Sequence, residues 1–198
     1  AVSAPWLVVG LGNPEPRYAR NRHNIGRMVI DLLVGRTGAT LSRHRTRARV
    51  AEVRLGLLPG GAPGPRAVLA EPTAFMNVSG RPVRALTQFY GLGAERLLVI
   101  HDDIDLPEHT LRLKRGGGEG GHNGLRSVSQ ALGTRDYARL RVGIGRPPGR
   151  QDVADFVLTD LPPRSRAQWG VTLEQAADAV QTVVLKGFER AQAVLHAP

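Results

Sequence analysis

Several short polar stretches carry the residue types that hydrolytic chemistry uses. Arg22-His23-Asn24 stands at the expected start of a helix. Histidine is the usual general base near neutral pH, and it needs a carboxylate to hold its tautomer. Asp102, Asp103 and Asp105, within His101-Asp-Asp-Ile-Asp105, are the candidates for that carboxylate. A helix-capping role for His23 or Asn24 competes with the catalytic one. His101 and the three aspartates are also metal-ligand types. Adjacent positions on a strand point to opposite faces, which argues against one shared ion. Asn13 and Phe75-Met76-Asn77 follow other apolar runs and add amide groups able to bond carbonyls or an oxyanion.

The chain from Gly116 to Gly121, followed by His122-Asn123-Gly124, is its most distinctive stretch. Gly116, Gly118 and Gly121 fit the spacing of a dinucleotide-binding loop. The loop lies past mid-chain, however, and the nearest acid at useful range, Asp136, precedes the next strand instead of ending it. Neither lysine is followed by Ser or Thr, so there is no phosphate loop of the Walker type, and there is no G-x-S-x-G elbow. Lys114 and Arg115 precede the glycines, and Arg139, Arg141, Arg146 and Arg150 follow. Period 2 puts Arg139 and Arg141 on one side of their strand. Basic density beside such a loop suits a phosphate backbone, and a solvated charged face is the alternative.

The elements that must position these groups alternate. Trp6 to Val9 reads as a buried strand, Asn24 to Val34 as a helix, and Arg43 to Leu58 with Ala67 to Ala70 as a hairpin. Ser79 can cap a helix that Gly91 ends. Arg96 to Ile100, Thr110 to Lys114 and Tyr137 to Ile144 read as strands. Leu125 to Leu132, Asp152 to Leu158 and a long segment from Gln168 to Leu195 read as helices. The pattern predicts a single α/β domain over residues 1–198, a twisted, mixed but mostly parallel sheet with helices on both faces. In such sheets the site lies beyond the carboxyl ends of the strands, where the polar stretches fall.

Composition narrows the field. With 41% hydrophobic and 22% charged residues over 198 positions the chain is globular and long enough for its own core. It has no cysteine, which removes disulfides, thiolate nucleophiles and Cys-bound zinc. The net charge is +10, and all basic residues except Lys114 and Lys186 are arginine, so a polyanionic partner fits. The N-terminal stretch lacks the basic region of a signal peptide, and no apolar run is long enough to span a membrane.

Together these segments resemble the bacterial-type peptidyl-tRNA hydrolase family. The resemblance runs through Val8-Val-Gly-Leu-Gly-Asn-Pro14, Tyr18 with Arg22-His-Asn24, and Phe75-Met-Asn-Val-Ser-Gly80. It continues through His101-Asp-Asp-Ile-Asp-Leu-Pro107, Gly116 to Arg126, Arg139 to Arg146 and Phe156-Val-Leu158. It implies a monomeric cytosolic esterase that cleaves the ester between peptide and tRNA and uses no metal or cofactor. The family's base falls on His23 and its carboxylate partner on Asp103. Substrate-holding roles fall on Asn13, Tyr18, Phe75, Met76, Asn77, His122 and Asn123, and a phosphate clamp on Lys114 and Arg141. Asn13 is also the residue tied to selectivity, its carboxamide oxygen accepting either from the substrate amide or from a neighbour that holds the peptide. Glu15 and Asn21 depart from the family's usual Gly and Thr. Two rival readings rest on single features: a nucleotide-binding oxidoreductase on the glycine loop, and a non-catalytic RNA-binding module on the charge.

Overall fold

A computed structural model describes residues 4–198; the first three residues of the N-terminal stretch lie outside the described residues. The strands are β1 (Trp6–Gly10), β2 (Ser42–His44), β3 (Ala48–Arg54), β4 (Arg66–Pro72), β5 (Leu97–Asp103), β6 (Leu111–Arg115) and β7 (Ala138–Gly143). They form one sheet in the order β2-β3-β4-β1-β5-β7-β6. The central strands β4, β1, β5 and β7 run parallel, and β2, β3 and β6 add antiparallel pairings at the two edges. The mixed, mostly parallel sheet is thus as the alternating pattern predicts.

The helices are α1 (Ile25–Thr37), α2 (Gly80–Tyr90), α3 (Asn123–Leu132), α4 (Val153–Val157), α5 (Arg166–Lys186) and α6 (Phe188–His196). They divide between the faces. Ile25, Ile30 and Leu33 of α1, with Val180 and Val183 of α5, pack against the sheet face that shows Val8, Leu98, Ile100 and Leu140. Val83 and Leu86 of α2, with Leu125 and Val128 of α3, cover the opposite face, that of Leu7, Val9, Leu97 and Val99. The parity of each strand therefore assigns its residues to the α1 side or the α3 side. Helix α1 lies unusually close to the sheet because glycines meet there. A Cβ on Gly26 would stand 2.3 Å from the Ile100 carbonyl oxygen, and one on Gly10 would stand 2.2 Å from the Gly26 carbonyl oxygen.

Three sequence expectations are corrected. The stretch from Arg43 to Leu58 is not one strand: it turns at residues 45–47, with Arg47 at φ 61°, so that β2 and β3 form their own hairpin and β3 then pairs with β4. The last helix is two, broken at Gly187, whose φ of 90° no helix accommodates. Ser79 does not cap α2; its hydroxyl donates back to the Met76 carbonyl at 2.7 Å.

Candidate active site

His23 sits on a single 3-10 turn, Arg22–Asn24, that leads into α1. The turn is clasped from the C-terminal part of the chain. The Arg22 N–H donates to the Thr159 carbonyl, the Arg22 guanidinium lies 4.5 Å over the Phe156 ring, and the Asn21 amide donates to Asp160. Asn24 occupies the position before α1 but does not cap it. Its Oδ1 accepts from the Asn13 N–H at 2.8 Å and its Nδ2 donates to the Asn13 carbonyl at 2.9 Å, tying the loop after β1 to the histidine turn.

The carboxylate against His23 is Asp102, not Asp103. His23 Nδ1 lies 2.9 Å from Asp102 Oδ2 and 3.1 Å from Oδ1. The reason is strand parity: on β5, Leu98, Ile100 and Asp102 share the face that α1 covers, and Asp103 points to the other. Asp103 instead accepts from Arg141 Nε at 2.7 Å. A second histidine shares Asp102, with His122 Nε2 at 3.0 Å from Oδ1. His122 Nδ1 accepts from the Leu125 N–H at 3.2 Å, so its proton is on Nε2, facing the carboxylate. His101, on β5 itself, donates from Nδ1 to the Asp102 carbonyl at 2.8 Å, leaving its buried Nε2 without a partner.

The electrostatics follow. Burial by itself would raise the Asp102 pKa, but the charges of His23 and His122 and their hydrogen bonds hold it far below the usual carboxylate range. Burial by itself would lower the His23 pKa, but the Asp102 charge and hydrogen bond outweigh it and raise it above 6.5. His101, fully buried and beside His122, is pushed down to about 4 and stays neutral. With Nδ1 given to Asp102, the His23 proton acceptor is Nε2. It faces a cavity of about 330 Å³ lined by His23, Asp102, His122, Asn123, Gly120 and Val153, among others.

His23, Asp102 and His122 also stand close enough to hold a cation, their ligand atoms lying within 4.8 Å of one another. The chemistry of the donor set fits poorly. A metal-bound histidine donates its other ring N–H to an outer partner, whereas the second nitrogen of His122 accepts an N–H. Hydrogen bonds account for all three groups.

Beside this cavity, Asn13 accepts from the Met76 N–H at 2.9 Å through Oδ1. A backbone N–H can only donate, so the oxygen is identified and Nδ2 remains as the free group of the carboxamide. Of the two expectations for the Asn13 oxygen, the structure has the neighbouring residue. Met76 is buried and packs on the start of α3, where a Cβ at Gly124 would stand 2.5 Å from its sulfur. Phe75 and Asn77 on either side are exposed. Tyr18 is half-buried under the Arg17 guanidinium, and its hydroxyl makes no hydrogen bond to the histidines. Glu15 is answered by Arg17 at 3.1 Å, both of them exposed enough for the pair to be weak.

Lys114 of β6 and Arg141 of β7 line a neighbouring cavity of about 220 Å³ with His101 and Asp103 of β5, Arg139 of β7 and Asp105 from the turn after β5. Arg139 is not a free cation. It is 2% exposed and donates to the carbonyls of Gly117, Gly118 and Arg135, clamping the glycine loop from beneath. That loop follows a strand antiparallel to the next, so it does not belong to the parallel β-α-β unit that a dinucleotide fold requires.

Sequence reasoning missed the support under Asn13. Arg27 donates to the Asn13 carbonyl at 2.9 Å and to Glu71 Oε1 at 2.9 Å, linking the ends of β1 and β4. Glu71 is fully buried, and its Oε2 has no donor. Burial, and the Asp31 carboxyl facing it, raise Glu71 to about 8 in spite of Arg27. A proton on Oε2 satisfies both carboxyls while Oε1 still accepts from Arg27. Glu71→Gln therefore keeps stability within about 1 kcal/mol of wild type, since an amide N–H takes that proton's place. Glu71→Ala takes the buried carboxyl from Arg27, which keeps only the Asn13 carbonyl, leaves a cavity in its place, and costs about 3 kcal/mol. Urea unfolding at pH 7 measures both. Only the helical spacing of Arg27 and Asp31, on the α1 turn after the histidine, hinted at it.

Residues 7–198 match the sequence profile of the family described as Peptidyl-tRNA hydrolase. A peptidyl-tRNA hydrolase of Kineococcus radiotolerans is 59% identical over all of both chains, and one of Streptomyces coelicolor is 52% identical over 98% of this chain and 96% of its own. The crystal structure of the peptidyl-tRNA hydrolase from Acinetobacter baumannii superposes with a TM-score of 0.86 at 32% identity, covering 100% of this chain and 97% of that one. The histidine turn, the carboxylate it shares with His122 and the paired asparagine loops thus sit on a chain that belongs to the peptidyl-tRNA hydrolase family.

Proposed function

We propose that this chain hydrolyses the ester between a peptide's C-terminal carbonyl and the terminal ribose of tRNA, with His23 as general base and water as nucleophile. The observation that carries the reading is His23 Nε2, open to the cavity while Asp102 holds Nδ1. His23 takes a proton from water as its oxygen attacks the carbonyl carbon. Asp102 stabilises the imidazolium that forms. The imidazolium then returns the proton to the ribose oxygen as the C–O bond breaks. Asn123, at the positive N-terminus of α3, donates to the developing oxyanion. The family and the fold support this reading, and the donor set asks for no metal or cofactor. The protein acts as a monomer in the cytosol, where translation supplies the substrate; among the described residues no helix is long and apolar enough to cross a membrane.

Selectivity for peptidyl-tRNA rests on Asn13. Its free Nδ2 donates to the N-acyl carbonyl, a group that aminoacyl-tRNA lacks, and Asn77 adds a second amide on the neighbouring turn. A donor left without its acceptor costs about 1–3 kcal/mol, so Asn13 supplies about tenfold to a hundredfold discrimination.

The test is incubation with N-acetylaminoacyl-tRNA in the presence of EDTA and without nicotinamide. Release of N-acetylamino acid supports the reading. Binding without cleavage supports an RNA-binding module, and a need for nicotinamide an oxidoreductase.

Lys114 and Arg141 hold a phosphate of the tRNA end on the α3 side of the site. Lys114→Ser raises KM more than it lowers kcat. It also makes the salt dependence of tRNA affinity shallower by about one unit in log–log slope. A filter-binding series over salt concentration measures this, and an unchanged slope removes Lys114 from the clamp.

A further inference from the structure

The hairpin of β2 and β3 carries Arg43, Arg45, Arg47 and Arg49 within seven residues, all exposed. Among the described residues none of the four has a carboxylate within ion-pair distance, although Arg22, Arg27, Arg36 and Arg141 elsewhere do have acidic or carbonyl partners. Arg45 lies 4.7 Å over the exposed Phe89 ring, which holds its guanidinium without neutralising it. The hairpin tip is fixed to the site: the Thr73 N–H donates to the Arg47 carbonyl at 2.9 Å, two residues before Phe75.

The sheet order gives this surface a direction. The proposed phosphate clamp is on β6 and β7, on one side of the β1–β5 pair that underlies His23, and the hairpin is on the other, beyond β4. With the ester at His23 and the tRNA end over β7 and β6, the peptide runs toward β4 and β3. Exposed Phe75, at 59%, and Val78, at 39%, lie along that side. Two to three strand spacings amount to roughly 10–15 Å, which three to five residues of extended peptide cover at about 3.3 Å each.

We infer that this arginine hairpin is a peptide-side specificity surface that favours acidic side chains about three to five residues upstream of the ester. The inference rests on the hydrolase reading and on its tRNA orientation. The attraction is between exposed charges, so it is screened by salt.

The test uses the full chain and tRNAs esterified to N-acetylated hexapeptides that differ only at the fourth residue from the ester: Asp, Ala or Lys. Wild type should show kcat/KM falling about threefold to tenfold from Asp to Lys at low salt, and converging at 0.5 M salt. A triple variant, Arg45→Ser, Arg47→Gly and Arg49→Ser, should lose the dependence and keep wild-type kcat on N-acetylaminoacyl-tRNA, which does not reach the hairpin. Glycine suits position 47 because φ there is 61°. A single variant, Arg43→Ser, gives a second reading, with a partial loss of the same dependence. No charge dependence in wild type overturns the inference. So does a variant whose KM rises equally for every substrate, which would make the hairpin a tRNA contact. Failure of wild type to cleave N-acetylaminoacyl-tRNA is a separate result, and it overturns the hydrolase reading itself.

Discussion

Replacing His23 by alanine is expected to lower kcat roughly 10²–10⁴-fold while tRNA affinity stays close to wild type. The loss corresponds to about 3–5 kcal/mol of transition-state stabilisation. The argument is positional. His23 Nδ1 is taken by Asp102, so Nε2 is available to water in the cavity. The other nearby imidazoles do not offer that lone pair to the same place. His122 Nδ1 is occupied by a backbone N–H and its Nε2 by Asp102. His101 borders the same cavity, but its Nε2 is fully buried and turned away from water. The turn is anchored by Arg22 and Asn24 rather than by the imidazole, so the alanine variant should fold, and circular dichroism checks this. Turnover within threefold of wild type would remove His23 from the role of base.

Asp102→Asn is expected to lower kcat by a comparable 10²–10⁴-fold, and Asp103→Asn by far less. Whichever way its amide points, an asparagine puts an NH2 donor 2.9 Å from the His23 N–H or 3.0 Å from the His122 N–H, so one histidine must change tautomer or lose its bond. The pH dependence separates this from general disruption. In wild type the His23 pKa lies above 6.5 because Asp102 outweighs burial. The base is active when neutral, so kcat/KM should rise with pH through a midpoint above 6.5. Without the carboxylate charge only burial remains, and the midpoint should fall below 6.5. The same shifts bear on stability. His23, raised in the folded state, contributes stability that is full below 6.5 and lost as pH rises through its folded value. Asp102, depressed in the folded state, contributes stability present above 3.8 and lost as pH falls. NMR titration of the histidines against pH in both variants provides the measurement. An Asp103→Asn effect larger than that of Asp102→Asn would return the partner role to Asp103.

Much of this protein is legible in its residues alone. Apolar runs ending in polar clusters mark the central strands and place Asn13, Met76 and the His101–Asp105 stretch at one end of the sheet. The reason is that parallel strands buried on both faces must be continuously apolar. His23, Asn123 and the glycine loop are identifiable because few residue types perform proton transfer or allow φ > 0. Where the chain turns is less so: Arg47 takes a glycine-like φ without being glycine, and Gly187 breaks a helix whose apolar spacing continues across it.

The partner of His23 is the clearest case of what only the tertiary structure decided. Alternation along β5 already dictates that Asp102 and Asp103 face opposite ways. It does not say which face α1 covers. That depends on the handed crossover from β1 and on Gly10 and Gly26 letting the helix settle against Leu11 and Ile100, contacts between residues far apart in sequence. Arg139 and Arg141 illustrate the same limit. Their shared face is periodic and readable, but their depth is not, and the sheet makes one a buried clamp for the glycine loop and leaves the other paired with Asp103 at the edge of the cavity it shares with Lys114. Sequence determined which groups are present and their parity; packing decided which of them meet.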